Sequence, residues 1–204
     1  TQIPVSLQAG LTFATGLRSI LRQDPNIIMV GEIRDSETAN IAVNAALTGH
    51  LVLSTLHTND AATTFPRLVD MGVPHFLVAS TVNVVVAQRL VRKVCMTCRK
   101  SRTLNVAELK SLGSIAKDAL VDKVYAAGPG CKDCNGEGYQ GRIGIYEVLE
   151  VNDEIRTLIV SQADAAQIRE MAVKQGMKTM IENGLAKAHE GITTIEEILR
   201  IIHE

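Results

Sequence analysis

The residues best suited to chemistry fall into two groups. The first is in "NIIMVGEIRD", Asn26 to Asp35, where four apolar residues run into Gly31 and are followed by Glu32, Arg34 and Asp35. A carboxylate just past a strand end can hold Mg²⁺ through water or orient a water that attacks a γ-phosphate. Equally, Glu32 can pair with Arg34 or another arginine, and Asp35 can cap the helix that follows. "HLVLSTLHTND" repeats the pattern: a strand, then His57, Thr58, Asn59 and Asp60. If the two strands are neighbours, His57 lies on the same rim as Glu32 and can sense a γ-phosphate; otherwise it is a solvated turn residue. Arg18 and Arg22 are four apart and share a helix face, positioned either to meet phosphate or to solvate that face. His50, His75, His189 and His203 carry no supporting pattern and read as surface or loop residues.

The second group is Cys95-Met-Thr-Cys98 and Cys131-Lys-Asp-Cys134. Four thiolates in two C-x-x-C turns suit the tetrahedral coordination of structural Zn²⁺, a closed site with no open position for catalysis. The intervening stretch, 99–130, exceeds the ~15–20 residues of a compact zinc ribbon, so the metal would close a small subdomain. Gly136 and Gly138 allow backbone amides to approach the sulfurs, and Lys93, Arg99 and Lys100 flank the first pair to offset thiolate charge. A redox dithiol is the alternative, although it needs only one pair. "CKDCNGEG" also matches the C-x-x-C-x-G-x-G repeat of J-domain chaperones, but the match is short and occurs once.

Alternating strands and helices must position the first group. Apolar residues at 17, 20 and 21 predict a short amphipathic helix over 17–23, broken at Asp24-Pro25-Asn26. The continuous apolar run predicts a fully buried strand at 27–30. A helix over 37–48, capped by Asp35 or Ser36, stops at Gly49, and a strand at 51–55 follows. Asn59 or Asp60 caps another helix. Short links between alternating elements imply a parallel sheet. Residues 75–93 read as one long apolar helix that turns basic at Arg89, Arg92 and Lys93. A strand in "GRIGIYEVLEV" follows the second cysteine pair. Then come helical patterns in "ADAAQIREMAVKQG", "TMIENGLAKAHEG" and "TTIEEILRII", the last with a Thr194-x-x-Glu197 capping box. The fold class is α/β, divided into a parallel-sheet block at 1–93, a cysteine-bounded block at 94–140, and a strand plus helices at 141–204.

The 204 residues are 46% hydrophobic and 3% aromatic without Trp, so the core is aliphatic, and the net charge of −1 gives no support for nucleic-acid binding. No apolar run approaches the ~18–20 residues of a membrane span, and no secretory signal is visible. The start "TQIPVSLQAGLTF" lacks Met, which suggests a piece of a longer chain. No G-x-x-x-x-G-K-[ST] phosphate loop occurs, and no glycine is followed by lysine.

"LRSILRQDPNIIMVGEIRD", "TGHLVLSTLHTNDA", "AQRLVRKVC" and "GRIGIYEV" together resemble the ATPases of type II secretion and type IV pilus assembly, over nearly the whole chain. The resemblance implies the carboxy-terminal part of a RecA-like ATPase domain, a small four-cysteine zinc subdomain and a helical carboxy-terminal region. By position, Glu32 is the Walker B glutamate at the Mg²⁺ or attacking water, Arg34 and Asp35 complete that box, and His57 is the His-box histidine near the γ-phosphate. Cys95, Cys98, Cys131 and Cys134 match the zinc ligands. It further implies ATP, Mg²⁺ and Zn²⁺ as cofactors and a homo-hexamer in the cytoplasm, peripheral to the inner membrane on a pilus or secretion platform. One departure is Pro25-Asn26 where the signature usually reads Pro-Asp. Another is that the family's Walker A loop, Asp box and amino-terminal domains precede the matched segment, which implies an inactive isolated chain. Retraction ATPases typically lack the four cysteines, so their presence favours the export or assembly branch, with a lean toward pilus assembly. The competing reading is a zinc-stabilised interaction module without catalytic activity.

Overall fold

The computed structural model describes residues 2–108 and 123–202, and the middle of the cysteine-bounded block, 109–122, lies outside them. The chain divides into two compact units, Thr1–Val85 with Leu149–Gln175, and Val86–Val148 with Gly176–Glu204.

In the first unit, Thr12 opens helix α1 (Phe13–Leu21) through a reciprocal box with Thr15, so the helix begins four residues before its expected start. Asp24 then takes φ 49° ahead of Pro25, which turns the chain into strand β1 (Ile27–Val30). Asp35 caps helix α2 (Ser36–Leu47), and Gly49 at φ 95° reverses the chain into strand β2 (Leu51–Ser54). A positive φ costs glycine little, because it has no Cβ. β1 and β2 pair in parallel, as expected, with Ile27 opposite Leu51 and Val30 opposite Ser54. Helices α3 (Thr64–Asp70), α4 (His75–Thr81), α5 (Asp153–Val160) and α6 (Ala165–Lys174) complete the unit. Arg156 on α5 bonds the Ala79 carbonyl and, at 3.2 Å, Asn83 Oδ1.

Two expectations are corrected here. β1 is not fully buried: Ile28 and Val30 are, but Ile27 and Met29 are 61% and 64% exposed, along with their register partners Leu51 and Leu53. An unbroken apolar run reports that both faces are apolar, not that both are covered by the residues at hand. The long helix over 75–93 is instead α4 followed by strand β3 (Val84–Val94). The run Val84-Val85-Val86 is β-branched and stiff at χ1, which favours the pleated backbone. Helix α5, capped by Asn152, has no counterpart in the sequence reading.

In the second unit, β3 pairs with β6 (Tyr139–Glu150), and β4 (Lys100–Arg102) pairs antiparallel with β5 (Val124–Ala126). Helices α7 (Met180–His189) and α8 (Ile195–Ile202) pack against these strands. One aliphatic cluster joins Val91, Ile145, Met180 and Ile198, and a second joins Val124, Leu185, Ala188 and Ile195. Gly184 allows the helices to approach closely, since a Cβ there would come within 2.6 Å of Ile198.

Glu197 departs from its expected role. Its amide faces Thr194 Oγ1 at 3.4 Å, half of a capping box, but its carboxylate turns to Arg92. Arg92 donates from its backbone N–H (2.9 Å), Nε (3.0 Å) and Nη2 (2.7 Å), and its guanidinium stacks over Tyr139 at 4.1 Å. The Glu197 side chain is only 2% exposed. Burial pushes its pKa up, but the arginine bonds outweigh burial and hold it below the ordinary 4.5. Glu197→Ala is expected to cost about 1–2 kcal/mol in denaturant unfolding, because it removes the acceptor of the Arg92 backbone N–H, while water can take over the half-exposed guanidinium. A depressed folded pKa contributes stability above the unfolded value, so the gap between wild type and variant should be constant above about pH 4.5 and narrow at lower pH.

Candidate nucleotide and metal sites

The first site assembles where β1 and β2 end together. Beyond the ladder, Ile33 N–H donates to the Thr55 carbonyl (3.0 Å), and Thr55 Oγ1 donates to the Gly31 carbonyl (2.6 Å). Glu32 stands between these two tied peptides. Its Oε2 accepts from Arg34 Nε at 2.6 Å and lies 3.2 Å from His57 Nε2. An ionised carboxylate only accepts, so the contact is a hydrogen bond in the histidine forms that carry a proton on Nε2. The Glu32 side chain is 25% exposed, against 66% for Arg34 and 78% for His57, so the cluster opens to solvent.

The neighbouring candidates sort differently. Asp35 engages both oxygens with Thr38, Oδ1 accepting from its N–H (2.7 Å) and Oδ2 from its hydroxyl (2.9 Å). It is the helix cap that the sequence allowed. Arg18 pairs with Glu37 Oε1 at 2.7 Å across α1 and α2, and Arg22 is exposed at the carboxy-terminal cap of α1. Neither contacts Glu32 in the bonds described. Asp60 caps the turn into α3 through Thr63 N–H (2.8 Å) and faces Arg169 Nη1 at 3.6 Å. The sequence marks Thr55 only as a strand residue; no periodicity signals a hydroxyl that reaches a neighbouring carbonyl.

In the second unit the four cysteines converge, with ligand sulfurs all within 4.8 Å of one another. Cys95–Cys131, Cys131–Cys134 and Cys98–Cys134 are separated by 3.7, 3.8 and 3.9 Å. These distances far exceed a disulfide bond of about 2.05 Å. They match the edge of about 3.8 Å of a tetrahedron whose centre lies ~2.3 Å from each sulfur, the Zn–S distance. Gly138 N–H donates to Cys134 Sγ at 3.2 Å, as expected, whereas Gly136 N–H bonds the Cys131 carbonyl. Arg99 does not serve the sulfurs: it stacks on Tyr125 and bonds the Gly191 carbonyl. Thr97 Oγ1 ties the two turns together through Asp133 at 2.7 Å.

Sulfurs this close cannot all ionise unaided. Backbone N–H bonds, led by that of Cys131, pull Cys134 down to about 6, while burial and adjacent sulfurs push Cys98 up to about 12. A divalent cation would supply the missing charge, so the residues present fit a closed, structural metal site.

Parallel strands with acidic and histidine ends in one unit, and a four-thiol cluster in the other, fit the α/β architecture of the RecA-like secretion ATPases. Solved structures agree. The Legionella pneumophila ATPase DotB aligns with TM-score 0.63 and 26% identity, over 94% of this chain and 42% of that one. The pilus retraction motor PilT with bound ADP aligns with TM-score 0.63 and 28% identity, over 93% and 43%. The chain belongs to the type II/IV secretion system protein family, whose pattern matches residues 1–200. It is 53% identical to the type IV pilus assembly ATPase PilB of Thermus thermophilus, over 97% of this chain and 22% of that protein. It is 46% identical to the type II secretion system protein E of Pseudomonas aeruginosa, over 100% and 40%. The chain thus spans well under half the length of these relatives.

Metal analysis of the purified protein should return about one thiolate-bound divalent ion per chain, lost in Cys131→Ser. Release should also follow acidification, because protons compete for the sulfurs. A metal-free protein with four titratable thiols would contradict the assignment.

Proposed function

We propose that this chain forms the hydrolysis-sensing part of an ATP-hydrolysing motor for type IV pilus assembly or type II secretion. The contact between Glu32 Oε2 and His57 Nε2, made from the ends of two adjacent parallel strands, carries this reading. Glu32 orients the attacking water, with His57 directed at the γ-phosphate and reporting its loss. Bound Mg²⁺ would neutralise charge on the phosphates, at a position where Glu32 could hold it through water. Arg34 restrains Glu32 at rest, and Asp35 sets the start of α2 beside it. Arg18 and Arg22, on one side of α1, are assigned to the nucleotide side. Zn²⁺ at Cys95, Cys98, Cys131 and Cys134 is structural.

By this reading 1–93 is a partial RecA-like core, 94–140 a zinc subdomain and 141–204 a strand plus helical subdomain. The whole protein would work as a homo-hexamer on the cytoplasmic side of the inner membrane, docked on a pilus or secretion platform. Pilus assembly is favoured over retraction by the four-thiol centre, and the relatives named for pilus assembly and for type II secretion both support the wider class.

In the full-length protein, Glu32→Gln should abolish ATP turnover while leaving ATP binding intact; wild-type turnover in that variant would sink the role given to Glu32. The 204-residue chain by itself should show no Mg²⁺-dependent hydrolysis, since it has no glycine-rich phosphate loop.

A further inference from the structure

Both peptides that flank Glu32 are tied to one residue. The Gly31 carbonyl accepts from Thr55 Oγ1 at 2.6 Å, and the Ile33 N–H donates to the Thr55 carbonyl at 3.0 Å. The last pair of the β1–β2 ladder is Val30 with Ser54. The hydroxyl therefore extends the strand pairing past that point, where Glu32 needs a fixed base. Two residues beyond Thr55, His57 meets the Glu32 carboxylate itself. The end of β2 thus holds Glu32 at three points: the peptide before it, the peptide after it and its side chain.

We propose that Thr55 is a positioning residue for Glu32, its hydroxyl coupling the His57 strand to the Gly31–Glu32 peptide so that both ends move as one. The inference rests on the assignment of Glu32 given above. Thr55 touches neither the Glu32 carboxylate nor, by this account, the nucleotide. It acts through the backbone, and a misplacement of about 1 Å at a reacting group can cost about 100-fold in rate. The side chain is exposed, so replacing its hydroxyl by a methyl leaves no unfilled space in the core.

The test is steady-state ATP hydrolysis by the full-length protein carrying Thr55→Val, Thr55→Ser or Glu32→Gln, with thermal unfolding and binding of a non-hydrolysable ATP analogue measured alongside. Thr55→Val is expected to lower kcat about 10- to 100-fold. KM, analogue affinity and melting temperature should stay near wild type, and Thr55→Ser, which keeps the hydroxyl, should restore kcat to within about 3-fold. Wild-type kcat in Thr55→Val beside an inactive Glu32→Gln overturns the role of Thr55 and leaves that of Glu32 standing. Equal losses in the Val and Ser variants, or a Val variant that loses stability and analogue binding together, also overturn it, because the hydroxyl bond would then not be the cause. Wild-type turnover in Glu32→Gln overturns the Glu32 assignment itself.

Discussion

The parallel register of β1 on β2 is the constraint on which the first site depends. Ile27 opposite Leu51 and Val30 opposite Ser54 bring two polar strand ends to one rim, so that Glu32 and His57, 25 residues apart, meet at 3.2 Å. A slip of one residue would turn Ile28 and Val30 away from the covered face and expose the side that is now buried. Burial therefore sets the register, and the register sets the site. The intervening helix α2 is capped by Asp35, so the same short loop that presents Glu32 also starts the crossover back to β2.

The second unit solves a different problem. Among the described residues, its two aliphatic clusters contain no aromatic ring, and polar tethers supplement them. Arg92 and Glu197 join β3 to α8. Val94 N–H reaches the Ile192 carbonyl (2.9 Å) and Thr193 Oγ1 the Arg92 carbonyl (2.8 Å), which fastens the α7–α8 turn to the strand leading into Cys95. Glycine suits position 191 in that turn, because its φ of 72° is left-handed and a Cβ would come within 2.7 Å of the Tyr125 ring. The four-thiol centre thus lies at the end of a chain of fixed contacts, which suits a role in holding shape.

What the sequence disclosed follows from the range of each signal. The two C-x-x-C turns were legible because each pair chelates locally, and the parallel pairing of 27–30 with 51–54 followed from short links. The break within 75–93 was not, because a run of valine and leucine satisfies a helix and a strand alike until partners are known. The partnership of Arg92 with Glu197 was hidden for a related reason. A Thr-x-x-Glu spacing predicts a local cap, but a strand more than a hundred residues away competes for the same carboxylate and wins with three donors. Thr55 is the clearest case. Its backbone is a strand end like any other, and only the three-dimensional pairing shows what the hydroxyl holds.

The two constellations also differ in how firmly their groups are committed, and this bears on what each can do. Exposed ion pairs contribute only about 0–1 kcal/mol, since solvent competes for both partners. His57 at 78% exposure and Arg34 at 66% can therefore leave Glu32 at little cost when a charged ligand offers better bonds. Cys95 and Cys134 are buried, and the Cys134 sulfur accepts from the Cys131 and Gly138 amides, so rearranging it would break several contacts at once. The partners of the first cluster can exchange, while the four-thiol centre keeps its shape. The backbone tie from Thr55 to Gly31 separates the two properties within the first site as well: the carboxylate's partners are free to exchange, but the peptide that carries it is not.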